Sequence, residues 1–153
     1  MGTIRVEATY PHPPERVWRA LTDPQAIAEW LMPNDFQPRL GHRFQFRVAN
    51  AKGWSGVVDC EVTELTPPSR LAYTWASDKV DTRVTWTLEP SKDGTRLVLE
   101  HSGFKGVGQF LLRKLIMGPG WKNMLKKKLP QVIERVASNA FVQDSAIGGC
   151  SHA

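Results

Sequence analysis

The sequence predicts an α+β fold in which a long C-terminal helix covers one face of an antiparallel sheet. Three observations predict it. Residues 7–31 read as a short strand that runs into two amphipathic helices, each started by a proline. Apolar and polar residues then alternate from 43 to 102, and a long amphipathic pattern runs from 121 to 140.

The N-terminal segment is the first of these elements. Pro13 and Pro14 can occupy the first turn of the first helix, where an amide hydrogen is not needed. Asp23 is expected to cap the second helix, with Pro24 as its first residue. The apolar faces hold Val17, Trp18 and Leu21 in the first helix and Ile27, Trp30 and Leu31 in the second. Two short helices beside a sheet edge favour a container for an apolar molecule over a reaction centre.

The middle of the chain alternates with the period of β-strands and predicts five successive strands. Pro67-Pro68 and Asp93-Gly94 mark turns between them. The residues expected on the apolar face are Phe44, Phe46 and Val48, then Val58, Cys60 and Val62, Leu71, Tyr73 and Trp75, Val84, Trp86 and Leu88, and finally Leu97, Leu99 and His101. We therefore expect an antiparallel meander with one apolar face and one wet face.

The last part of the chain becomes helical again. Residues 106–117 are expected to form a short helix or a lid-like connection. The stripe of the long helix holds Trp121, Met124, Leu125, Leu129, Val132, Ile133, Val136 and Ala140. This stripe must cover the apolar face of the sheet. At 153 residues there is room for one core, so we expect a single domain over 1–140 and a flexible tail over 141–153.

Composition limits the environment. No apolar run is long enough to span a membrane, and the N-terminus MGTIRVEAT lacks the apolar core of a secretory signal. Two cysteines, Cys60 and Cys150, are too few for a disulfide scaffold, so we expect reduced thiols and a cytoplasmic location. Cys150 and His152 have no partners at zinc-site spacing, and we predict no metal and no cofactor.

The net charge of +5 indicates attraction to anions. Basic residues cluster at Arg113, Lys114, Lys122 and Lys126-Lys127-Lys128. The simplest interpretation is a solvated helix face. Nucleic-acid binding is not expected, because the aromatic residues fall on buried positions rather than among these cations. Weak contact with an anionic surface, or a preference for an acidic ligand, stays open, and the oligomeric state is not predicted.

The aromatic residues of the apolar face converge on the space between sheet and helix. They would form a core by default, but rigid rings can also keep a cavity open, and we expect one of about 300 Å³ or more. The predicted ligand-binding residues are Phe46, Tyr73, Trp75, Trp86, Leu99, His101, Trp121, Leu125 and Lys128. His101 is either a hydrogen-bonded core histidine or a polar group that orients a ligand.

Lys128 owes its place in this set to the helical pattern. At about 100° per residue it lies between Met124 and Leu125, on the apolar stripe. Pro130 offers no amide hydrogen to the carbonyl of Lys126 and should kink the helix. The kink either turns Lys128 to solvent or opens the helix, in which case Lys128 marks the cavity mouth and binds an acidic group. We predict the latter, with a bend near 126–130.

No catalytic residue is predicted. The carboxylates of the strands, Asp59, Glu61, Glu89 and Glu100, fall on the outward face, and no nucleophile elbow, metalloprotease helix or phosphate loop occurs. Three classes of function stay open: a protein that binds a hydrophobic small molecule, an enzyme of the cyclase or hydrolase type, and a protein-interaction module. The first is favoured over the enzyme and over the interaction module.

Five sequence runs carry a family resemblance. They are YPHPPERVWRALTDPQAIAEW, RFQFRV, PPSRLAYTW, TRVTWTLEP with DGTRLVLEHSGF, and Gly120-Trp121 at the opening of the last helix. Over about residues 4–138 the chain resembles the bacterial activator-of-heat-shock-protein-90-ATPase-like family of the START-like, polyketide-cyclase-like superfamily. The resemblance implies a helix-grip fold: a curved seven-stranded antiparallel sheet around a long C-terminal helix, two small helices after strand one, and a cavity. Members bind lipids, hormones, polyketides or flavonoid-like molecules, a few catalyse cyclisation or hydrolysis, and the family name points to a co-chaperone.

Overall fold

A computed structural model describes residues 2–78 and 80–137, and its centre is a six-stranded antiparallel sheet. The strand order is β1-β6-β5-β4-β3-β2. The strands are β1 (Thr3–Tyr10), β2 (Arg43–Arg47), β3 (Val57–Thr66), β4 (Arg70–Ser77), β5 (Val80–Ser91) and β6 (Gly94–Ser102). The α+β class with an antiparallel sheet and a long C-terminal helix is therefore confirmed.

Two short helices connect β1 to β2. Helix α1 (Pro14–Thr22) begins at its proline, and helix α2 (Pro24–Trp30) is capped by Asp23, whose carboxylate accepts the amide of Gln25 at 2.9 Å. The indole Nε1 of Trp30 donates to the carbonyl oxygen of Ala20 at 2.8 Å. This bond ties the two helices together and satisfies the polar atom of a buried ring.

A seventh strand, which the resemblance implies, is not found in the described residues. After α2 the chain makes only an isolated β-bridge, between Asn34 and Phe46 beside the edge strand β2. Pro33 and Pro38 flank this bridge and have no amide hydrogens to offer a ladder. The position next to β2 is thus occupied by a single bridge rather than by a strand.

The backbone is helical without interruption from 106 to 137, and we call this stretch the C-terminal helix. It consists of α3 (Gly106–Leu112), a π-helical segment π1 (Arg113–Met117), α4 (Gly118–Asn123), a second π-helical segment π2 (Met124–Lys128) and α5 (Leu129–Ala137). The helix thus begins well before Trp121, where the sequence pattern placed its start. Ala140, Cys150 and the predicted tail over 141–153 lie outside the described residues.

Each π-helical segment ends two residues before a proline, Pro119 or Pro130. In a regular α-helix the proline ring would clash with the carbonyl four residues earlier. Here the amide that precedes each proline donates to a carbonyl five residues back, which is the π-helical bond. These bonds join Gly118 to Arg113 and Leu129 to Met124. The irregularity expected near 126–130 therefore takes the form of π2, while the predicted bend itself stays a prediction.

The C-terminal helix is fixed to β1 at the edge of the sheet. The hydroxyl of Tyr10 donates to the carbonyl oxygen of Leu125 at 2.6 Å. That carbonyl has no hydrogen bond from Pro130, which lacks an amide hydrogen, and the amide of Leu129 donates to the carbonyl oxygen of Met124 instead. Two cations of the same helix reach free carbonyls of β1. Arg113 donates to Thr3 at 3.4 Å, and Lys126 donates to Glu7 at 2.7 Å.

Candidate ligand-binding site

A cavity of about 680 Å³ lies between one end of the sheet and the first half of the C-terminal helix. Its walls come from the end of α2, the connection between β2 and β3, the ends of β3 to β5 that lie beside that connection, and residues 112–124 of the helix. The lining residues are Leu31, Met32, Lys52, Gly53, Trp54, Val58, Trp75, Ser77, Asp78, Val80, Leu112, Ile116, Met117, Gly120, Trp121 and Met124.

Most of this wall is apolar, and its polar groups gather in two neighbouring loops. Lys52 belongs to the connection between β2 and β3, Ser77 is the last residue of β4, and Asp78 begins the turn between β4 and β5. The carboxylate of Asp78 accepts the amide of Ser55 at 3.3 Å, which links the two loops. A molecule in the cavity would therefore meet aromatic and aliphatic groups over most of its surface and charged groups at one end.

Of the nine residues predicted to bind a ligand, the structure places Trp75 and Trp121 in the cavity wall. Their rings contact each other edge to face, with centroids 5.6 Å apart. The remaining tryptophan of the wall, Trp54, is partly exposed and was missed by sequence analysis. It lies in a glycine-containing loop, where no strand or helix period predicts which way a side chain faces. The signal that could have pointed to it was a large apolar residue, next to Lys52-Gly53, that belongs to no predicted strand or helix.

Five predicted residues do not line the cavity but fill the space where it was expected. They are Phe46, Tyr73, Trp86, Leu99 and Leu125, all of them buried. Edge-to-face packing closes the gap between the rings: the centroid of Trp86 lies 5.6 Å from that of Trp121 and 5.6 Å from that of Trp30. The indole of Trp86 also donates to the hydroxyl of Tyr73 at 3.0 Å. These side chains therefore pack into the buried core rather than around the open space that the sequence predicted there.

His101 is a core residue with both ring nitrogens in use. Its Nδ1 accepts a hydrogen bond from the indole of Trp121 at 3.0 Å. Since the Thr82 hydroxyl donates to the carbonyl oxygen of Trp75 at 3.0 Å, His101 Nε2 donates to that hydroxyl at 2.7 Å. The ring is therefore neutral, with its proton on Nε2. Burial lowers the pKa of His101 to about 3, which agrees with this assignment.

His101 thus affects the cavity only indirectly, through Trp121. It does not line the cavity, and neither of its nitrogens is free for a ligand. Through these bonds it orients the indole of Trp121, which is part of the wall. Of the two alternatives drawn from the sequence, the hydrogen-bonded core histidine describes its position.

Lys128 is exposed and is not part of the cavity wall, so its predicted position at the mouth is wrong. The helical pattern assumed α-helical geometry through this region, whereas Met124–Lys128 form π2. A π turn holds more residues than an α turn and so changes the register of the residues that follow. Leu125 and Leu129 are buried, and Lys128 faces outward between them.

The segment 106–117 was expected as a helix or a lid-like connection, and its Leu112, Ile116 and Met117 are cavity residues that sequence analysis did not name.

Within the described ranges, no group of three histidine, cysteine or acidic side chains is placed to hold a metal ion. None of the described helices is long and apolar enough to cross a membrane.

The family model described as "Activator of Hsp90 ATPase homolog 1-like protein" matches residues 11–134. Protein MLL2253 from Mesorhizobium loti has 40% sequence identity; the match covers 87% of this chain and 97% of that protein, with a TM-score of 0.70. CalU16 from Micromonospora echinospora has 27% sequence identity; the match covers 92% of this chain and 82% of the CalU16 chain, with a TM-score of 0.68. The Aha1 dimer from Colwellia psychrerythraea, at 20% identity, matches 82% of this chain and 92% of its own with a TM-score of 0.69, a likeness of fold. No curated protein matches the chain.

Proposed function

The chain belongs to the Activator of Hsp90 ATPase homolog 1-like family, and on this premise we propose that it binds an amphipathic small molecule. The observation that carries the proposal is the cavity of about 680 Å³ with its mostly apolar wall. Sites for small molecules in proteins commonly measure about 300–1,000 Å³ and combine apolar walls with a few polar groups. The cavity meets both conditions.

The wall indicates the chemistry of the ligand. Trp75 and Trp121 offer flat apolar surfaces to a ring system or an acyl chain, and Lys52 offers a positive charge at the polar end. We infer a lipid-like or polyketide- or flavonoid-like molecule with an anionic or hydrogen-bonding group at one end. Lys52 thus takes the role that the sequence analysis gave to Lys128.

Binding is preferred to a reaction because of the groups that line the cavity. Among the lining residues, Lys52 and Asp78 are the ones with charged side chains. A cyclase or hydrolase needs an acid and a base positioned on the reacting atoms. Both residues lie at the loop end of the wall, where they suit recognition of a polar group. We also infer a cytoplasmic location, which the free, buried thiol of Cys60 supports.

The first test is native mass spectrometry of the purified protein, which should reveal a co-purified small molecule. The second uses a matched pair of variants and the aromatic anion 8-anilinonaphthalene-1-sulfonate. Gly120 lines the cavity, and a Cβ built on it would meet only the end of the Met124 side chain, at 3.9 Å. Gly120→Phe should therefore place a ring in the cavity and weaken binding of the dye by about tenfold or more, equivalent to ~1.4 kcal/mol.

Gly108→Phe is the control. Gly108 lies in the same helix, outside the cavity, and a Cβ there meets no atom within 4 Å. Both variants replace a helical glycine by phenylalanine, so their effects on helix stability are alike. Dye binding should stay within about twofold of the original protein in the control, less than ~0.5 kcal/mol. Equal affinities in the two variants would mean that the dye does not occupy this cavity.

A further inference from the structure

The outer side of the C-terminal helix carries exposed apolar side chains beside the cavity. Val107 is 78% exposed, Leu115 66% and Ile116 65%. Phe110 and Leu111 are also exposed, and we call these five residues the apolar ridge. They occupy α3 and π1. A concentration of large apolar groups on one short stretch indicates a surface that is covered by a partner.

Cations surround this ridge. The guanidinium carbon of Arg113 lies 5.1 Å, and the ammonium nitrogen of Lys114 5.8 Å, from the centroid of the exposed Phe110 ring. After Glu100 the sequence has no acidic residue until Glu134, whereas seven lysines and arginines lie between them. The ridge therefore belongs to a strongly basic helix, and its partner must tolerate or attract positive charge.

The mouth of the cavity extends the same surface. Ile116 belongs to the ridge and also to the cavity wall, where Trp54 and Lys52 stand on the connection between β2 and β3. Trp54 is among the exposed large apolar side chains. The mouth is thus bordered by a tryptophan and a lysine from one element and by aliphatic and basic residues from another. Tryptophans and basic residues of this kind are characteristic of the boundary between lipid headgroups and acyl chains.

We propose that the apolar ridge and Trp54 dock the cavity mouth on an anionic lipid bilayer. The ridge enters the headgroup region as an amphipathic helix that lies in the plane of the surface, and Lys52 and Lys114 contact the lipid phosphates. A second copy of the chain is a poorer partner, because a symmetric contact through this face would bring the two basic helices against each other. This proposal goes beyond ligand binding and does not require the ligand of the cavity to be a membrane lipid.

The test is flotation of the protein with vesicles of phosphatidylcholine that contain phosphatidylglycerol, against vesicles of phosphatidylcholine alone. The original protein should float with the anionic vesicles and less with the neutral ones, and added salt should weaken its binding. In the double variant Leu111→Ser/Leu115→Ser, the affinity for anionic vesicles should fall by about tenfold or more. Leu40→Ser is the matched control: Leu40 is 64% exposed but lies before β2, away from the ridge, and binding should not change.

A second pair of variants separates the contribution of charge. Lys114→Gln should weaken binding to anionic vesicles, whereas Lys92→Gln should not, since Lys92 lies in the turn after β5, at the opposite end of that strand from the cavity. The proposal is overturned if the original protein fails to float, or if Leu40→Ser loses as much binding as the ridge variant. It is also overturned if sedimentation without vesicles shows a dimer that the ridge variant dissociates, because the ridge would then be an interface between copies.

Dye binding in the absence of vesicles keeps this proposal separate from the proposed function. Leu111 and Leu115 do not line the cavity, so the ridge variant should bind 8-anilinonaphthalene-1-sulfonate as the original protein does. Flotation without dye binding would leave the membrane contact standing and overturn the ligand-binding function. Dye binding without flotation would leave the ligand-binding function standing and overturn the membrane contact.

Discussion

Acidification should destabilise this protein through His101 at a pH where most carboxylates are still ionised. The pKa of His101 falls from its ordinary 6.5 to about 3 in the folded chain because the ring is buried. Below pH 6.5 the unfolded chain therefore binds a proton that the folded chain does not. The stabilisation from the neutral ring is complete above the unfolded pKa and is lost progressively as the pH falls from 6.5 towards 3.

The magnitude follows from these two pKa values. At pH 5 the folded ring is still neutral, while the unfolded chain is about 1.5 pH units below its own pKa, so the free energy of unfolding should fall by about 2 kcal/mol relative to pH 7.5. The hydrogen bonds of His101 explain why the folded state resists protonation of the ring. A proton on Nδ1 would remove the acceptor for the indole of Trp121. Urea unfolding at both pH values, followed by circular dichroism, measures the loss.

His101→Gln isolates this contribution. The glutamine amide can accept from Trp121 and donate to Thr82 but does not titrate. His12 and His42 are present in both proteins, so their effects cancel in the comparison. The original protein should lose about 2 kcal/mol more than the variant between pH 7.5 and pH 5. An equal loss in the two proteins would refute the assignment of a buried, neutral His101.

Two further predictions concern contacts that fix the elements. Tyr10→Phe removes the hydroxyl that donates to the carbonyl of Leu125, and the unpaired buried carbonyl should cost about 1–3 kcal/mol in urea unfolding; a change within error would show that another donor replaces it. Gly94→Ala would place a Cβ 1.9 Å from the carbonyl oxygen of Tyr10 and should lower the free energy of unfolding by about 2 kcal/mol or more, whereas Gly108→Ala, with open space around it, should raise it by up to ~1 kcal/mol. A tolerated alanine at 94 would mean that this turn can move.

Strand alternation carries much of the fold because the period of two identifies the face of each side chain without knowledge of the neighbours. Trp75 and Phe46 are both on the apolar face and both buried, as the alternation predicts. Alternation does not show how far along the sheet the cavity begins. Trp75 reaches it and Phe46 does not, because that depends on where the C-terminal helix crosses the sheet.

The helical pattern was less reliable because it assumes one period throughout. Gly118-Pro119-Gly120 looks like a helix break, yet the π-helical bond from Gly118 to Arg113 carries the helix past Pro119. The same geometry before Pro130 places Lys128 outside. Trp54 could not be placed at all, since a loop has no period and its contacts depend on the whole tertiary structure.

The side chains that reach β1 also bear on the solubility of the protein. A sheet of this order has two edge strands, and an edge with free amides and carbonyls can recruit a strand from another molecule and so begin aggregation. On β1, Arg113 and Lys126 already occupy the carbonyls of Thr3 and Glu7. An incoming strand would have to displace two cations before it could pair. The C-terminal helix thus shields the longer of the two edges, and the shorter edge, β2, is partly covered by its bridge to Asn34.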